Sequence, residues 1–99
     1  MLNVTQRTED RNPMTEAVLL AGADQSWVTE HTSTQNVSSR GARVATERFW
    51  LPGSLLSIKS ARSDFQARAR VVYWRSFSSS RFAIGLEFLT RLGDWPANI

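Results

Sequence analysis

The sequence predicts an all-β domain, a small six-stranded antiparallel barrel, and three observations carry that prediction. Six short strand-like runs are separated by turn signals, and the fifth and sixth alternate with a period of two. The only helical signal is a single short turn near residues 91–95. Closing such a sheet into a barrel protects its edges and buries one face of every strand.

Residues 1–13 are polar, show no hydrophobic period and end at Asn12-Pro13, which disfavours a helix running on past the proline. They read as a flexible N-terminal arm ahead of a barrel over residues 14–90, with residues 91–99 as a C-terminal tail. The first strand lies within residues 14–23, around Ala17-Val18-Leu19-Leu20, and Gly22-Ala23-Asp24-Gln25-Ser26 turns the chain. Residues 27–37 form a second strand, rich in threonine and valine yet polar, so at least one of its faces meets water.

After the polar stretch Asn36-Val37-Ser38-Ser39-Arg40-Gly41 comes a third strand over residues 41–46. Arg48-Phe49-Trp50-Leu51-Pro52-Gly53 is an aromatic loop closed by a Pro-Gly turn, and Trp50 beside Phe49 is its candidate binding surface. The fourth strand covers residues 55–59, and residues 60–64 turn into a long fifth strand. There Phe65, Ala67, Ala69, Val71 and Tyr73 alternate with Gln66, Arg68, Arg70, Val72 and Trp74. After a serine-rich loop at residues 77–81, Phe82, Ile84, Leu86 and Phe88 alternate with Ala83, Gly85 and Glu87. The apolar face of this sixth strand is expected to meet Val18, Leu20, Leu56, Ile58 and Val71. Trp95 is expected to pin the tail to the barrel.

Ninety-nine residues suffice for one core. Cysteine is absent, which rules out disulfides and thiolate metal sites and fits a reducing, cytoplasmic location. No apolar run is long enough for a membrane span, and the polar N-terminus does not read as a signal peptide. His31 is the single histidine, no carboxylate pair is suggested by spacing, and no phosphate-cradling G-x-x-x-x-G-K is present. The sequence therefore points to no enzyme, no catalytic residue, no metal and no cofactor.

The charge of +3 is built from eleven arginines and one lysine, Lys59. Arginine suits planar, bidentate recognition of phosphate or a guanine edge. A codon bias would give the same excess, so position decides which arginines matter. The stretch from Asn36 to Gly41 concentrates short hydrogen-bonding groups where a hairpin needs only a compact turn. Asn36 offers donors and an acceptor, Ser38 a rotatable hydroxyl, and Gly41 a bare backbone that a ligand can approach.

The spacing Asn36-x-Ser38-x-x-Gly41 resembles the second signature of the PilZ domain family, and Arg7-x-x-x-Arg11 resembles its first. The resemblance runs on through Arg70-Val71-Val72-Tyr73-Trp74 and Gly85-Leu86-Glu87-Phe88. It implies a six-stranded barrel and a receptor for cyclic di-GMP in bacterial second-messenger signalling. Arg7 and Arg11 would bond phosphate and guanine and stack on the purine face, with Asn36 and Ser38 bonding from the barrel and Gly41 keeping the wall thin. Gln6, just before the first arginine, occupies the position thought to influence whether one ligand or a stacked pair binds. Gly85 marks either a bulge or a place where something lies flat on the sheet. The resemblance further implies a protein partner or an output domain elsewhere. Two other readings stay open: a single-stranded nucleic-acid binder built on the same kind of barrel, and an interaction barrel without a ligand.

Overall fold

The computed structural model describes residues 14–23 and 28–96. Within them run β1 (Ala17–Gly22), β2 (Thr29–Val37), β3 (Gly41–Thr46), β4 (Leu55–Ser60), β5 (Gln66–Ser76) and β6 (Phe82–Leu92). Every pairing is antiparallel and the sheet closes in the order β1-β2-β3-β6-β5-β4. The expected barrel is observed, and closure leaves no strand edge unpaired along its seams. The helical turn expected at residues 91–95 does not form. Arg91 and Leu92 instead continue β6 opposite Ala67 and Gln66, and Gly93, at φ 72°, ends the strand. No helix among the described residues is long and apolar enough to cross a membrane.

Alternation explains how the interior fills. In β4, Leu56, Ile58 and Ser60 are buried while Leu55, Ser57 and Lys59 are exposed. Val18, Leu20, Val44, Leu56, Ile58, Phe65, Val71 and Ile84 are all within 2% of full burial and form the centre of the core. One end is plugged by aromatics: Trp95 stacks on Phe65 at 4.0 Å, and Phe88 packs against the same ring at 5.3 Å. Trp95 thus pins the tail, as the sequence suggests. Its Nε1 is buried without a hydrogen-bond partner among the described residues.

In β5 the period of two holds only as far as Val71. The register with β6 slips between Val71 and Tyr73, so Val72 is extra and the side chains after it change faces. Trp74, not Tyr73, therefore packs against the core. Another slip, between Thr34 and Asn36 of β2, makes Gln35 the extra residue and presents Asn36 opposite Arg43 of β3.

The aromatic loop after β3 differs from its expected role. Trp50 is buried, at 6% exposure, and its Nε1–H donates to Glu30 Oε1 at 3.2 Å. Phe49 is exposed but rests edge-on against Trp74 at 5.1 Å. The loop is held because the Glu30 carboxylate also accepts from Thr46 Oγ1 at 2.6 Å and from the Glu47 amide at 2.8 Å. Three bonds to one half-buried carboxylate make Glu30 the anchor of this end. Glu30→Ala is expected to cost about 2–3 kcal/mol of stability. Urea unfolding checks it, and a loss below about 0.5 kcal/mol would place the anchor elsewhere.

Candidate functional site

The polar stretch folds as the short connection between β2 and β3, and Ser38 shapes it. The Ser38 amide donates to the Gly41 carbonyl at 2.9 Å, while the Ser38 hydroxyl oxygen accepts from the amides of Arg40 and Gly41, each at 3.2 Å. Both of its lone pairs are thereby used. Only the hydroxyl hydrogen is left to offer, now donated to the Gly41 carbonyl at a long 3.3 Å. Toward a ligand Ser38 is therefore a donor, suited to an acceptor such as a phosphate oxygen. Asn36, half-buried at the end of β2, makes no side-chain hydrogen bond among the described residues and offers its whole carboxamide.

Gly41 is required by the barrel itself. It pairs with Glu87 of β6, and a Cβ placed on it would fall on the Leu86 carbonyl oxygen. Its φ is not positive, so close approach of backbone, rather than an unusual conformation, excludes a side chain. The seam is extended into the turn by the Phe88 amide, which donates to the Arg40 carbonyl at 2.8 Å.

Register lines up one row of residues across the outside of the barrel: Asn36 on β2, Arg43 on β3, Gly85 on β6 and Tyr73 on β5. Both features that the sequence offers for Gly85 meet here, since a ring lies over it and the extra residue of β5, Val72, is directly beside it. The Tyr73 ring lies against its Cα, and Arg75 sits 5.2 Å from the ring centroid on Tyr73. Beside this row opens a cleft of about 300 Å³ bordered by Ser38, Arg40, Gly41, Tyr73, Gly85 and Glu87. Glu87 is paired with Arg70 at 2.6 Å, both half-exposed.

Because the obstacle at Gly85 is a side chain that can swing away, Gly85→Ala is expected to cost only about 1 kcal/mol of stability. It should also displace the Tyr73 ring, visible as altered ring-proton shifts in the NMR spectrum. An unmoved ring would contradict this packing.

The described chain begins against Thr34 of β2, two residues before Asn36. The Thr34 hydroxyl donates to the Met14 carbonyl at 2.6 Å and accepts from the Glu16 amide at 2.9 Å, and the Thr34 amide donates to the Glu16 carbonyl at 2.9 Å. These bonds seat Met14 against Thr34, on the other side of the slip at Gln35 from Asn36. Gln6, Arg7 and Arg11 lie outside the described residues, as does Trp27. Phe49 and Trp50 come after the far end of β3, about 17 Å of strand from Gly41, and Phe49 packs on Trp74, next along β5 from Tyr73.

Sequence reasoning does not single out Tyr73, Glu87 or Arg91. The Arg91 guanidinium donates to the Ser39 carbonyl inside the turn at 3.1 Å and to the Gly93 carbonyl at 3.2 Å, and it pairs with Asp94 at 3.3 Å. It thereby fastens the turn to the C-terminal end of β6. Neither its partners nor the bulge that turns Tyr73 outward leaves a mark in residue spacing.

No cluster of histidine, cysteine and carboxylate side chains able to hold a metal ion occurs among the described residues. A family model, the PilZ domain, matches residues 5–94 and so includes both signatures. No curated protein sequence matches the chain.

Proposed function

The chain belongs to the PilZ domain family, whose members are known as cyclic di-GMP receptor domains, and we propose that it binds this dinucleotide between Arg7/Arg11 and the Asn36–Ser38 wall. One observation carries the reading: the chain is anchored at Met14 on the Thr34 hydroxyl, two residues before Asn36 on β2. Arg11 is three residues upstream, so its Cα lies within about 11 Å of that of Met14 whatever path the chain takes. Arg7 is tethered within about 25 Å. Arg11 is thus kept within reach of the Asn36–Ser38 wall, and Arg7 has the chain length to join it.

The division of labour comes from chemistry. The ligand carries two anionic phosphodiesters and two guanines. Arg7 and Arg11 bond phosphate or the guanine O6/N7 edge, and their planar heads stack on purine faces. Asn36 both donates and accepts, whereas Ser38 donates only. Gly41 acts through the barrel seam, and Gly85 through the Tyr73 ring that it seats. The family binds and relays rather than catalyses. Accordingly, ligand brings residues 5–12 onto the barrel and builds a surface that a protein partner or an attached output domain reads.

Hydrogen exchange tests this arrangement. Cyclic di-GMP is expected to raise protection in residues 5–12 and 36–41 and to leave β4, across the closed barrel from β3, unchanged. Full protection of residues 5–12 before ligand is added would contradict the proposed switch.

A further inference from the structure

Arg43 is the arginine of the outer row, and neither signature contains it. It stands on β3 between Asn36 and Gly85, half-buried. Its Nε is buried with no hydrogen-bond partner, and the side chain enters no ion pair, among the described residues. A half-buried guanidinium without an anion is costly, because neither its charge nor its covered N–H is compensated. Three other arginines of this wall have partners, Arg70 in Glu87, Arg91 in Asp94 and Arg75 over Tyr73, while Arg40 at the lip of the cleft is exposed to solvent.

We propose that Arg43 is a ligand-binding residue, which donates from the barrel wall to a phosphodiester of the bound dinucleotide; this rests on the reading of the domain as a cyclic di-GMP receptor. Charge decides between the two chemistries that the ligand offers. A guanine edge is neutral and leaves the cation uncompensated, whereas a phosphodiester supplies the missing negative charge. Its two non-bridging oxygens also match the side-on fork of Nε–H and one Nη–H. Asn36, directly opposite in register, is left to face sugar or base. Arg43 thus fixes the phosphate from the barrel wall.

Calorimetric titration with cyclic di-GMP of the wild-type protein, Arg43→Met and Arg43→Lys tests the contact. Arg43→Met is expected to bind about tenfold to a hundredfold more weakly. Arg43→Lys, which keeps charge but loses the fork, should fall between. Melting temperature without ligand should be unchanged or raised in Arg43→Met, since an unpartnered polar group is removed. Phosphorothioate analogues, with sulfur replacing one non-bridging oxygen, identify the ligand atom. At least one diastereomer should bind the wild type more weakly than the parent ligand, and that difference should shrink in Arg43→Met.

A wild type that binds while Arg43→Met stays within about twofold of it would overturn the proposal and leave the receptor reading intact. An undiminished phosphorothioate difference would overturn the assignment to phosphate. No binding by the wild type would overturn the receptor reading itself, and this contact with it. Should Arg43→Met fail to fold, the Arg43 Nε–H resonance of the wild type decides. It should shift and gain exchange protection on titration, and an unmoved resonance would be contrary.

Discussion

Gly41→Ala is expected to destabilise the domain by about 3 kcal/mol, the largest effect of any single methyl addition on this wall. The added Cβ would fall on the Leu86 carbonyl oxygen, which is backbone held in the β3–β6 ladder and unable to swing aside. Relief requires β3 and β6 to separate at the turn, where Ser38 also bonds the Gly41 amide and carbonyl. Cyclic di-GMP affinity should fall with the seam. Denaturant unfolding reads the first effect and calorimetry the second. An unchanged unfolding midpoint would mean that the seam is looser than the register indicates.

Arg7→Ala and Arg11→Ala are each expected to weaken cyclic di-GMP binding by about 1.5–3 kcal/mol, the range for a hydrogen bond to a charged group. Stability without ligand should hardly change. Residues 1–13 are poor in apolar side chains and supply little that a core could lose. If either substitution unfolded the protein, the two arginines would have a structural role and the proposed clamp would lose its moving half.

The architecture is legible in the sequence because alternation is a local signal. Leu56/Ile58 in β4 and Ala67/Ala69/Val71 in β5 state their inward faces in the sequence, and the structure buries those residues. The alternation misleads at Tyr73 and Trp74, because one extra residue at Val72 exchanges their faces and nothing in the residue types announces a bulge. Trp50 misleads for a related reason. An aromatic pair in a loop looks like a binding surface until the carboxylate that captures its N–H is known, and Glu30 lies twenty residues away.

Within the candidate site, the spacing of Asn36, Ser38 and Gly41 marks the turn between β2 and β3 but not the bonds that each residue makes there. Ser38 spends its lone pairs on the turn, and Gly41 makes room for β6. In the sequence Arg43 is one more arginine among eleven. Its missing partner emerges only when the strands are paired.

Titration calorimetry of the folded protein with cyclic di-GMP tests the central claim most directly. Saturable binding heat is expected, with GTP failing to compete and affinity falling only shallowly as salt rises, as befits two phosphates in a specific pocket. No heat with ligand raised to about 100 μM, a bound of about −5.5 kcal/mol on any binding, would contradict the claim.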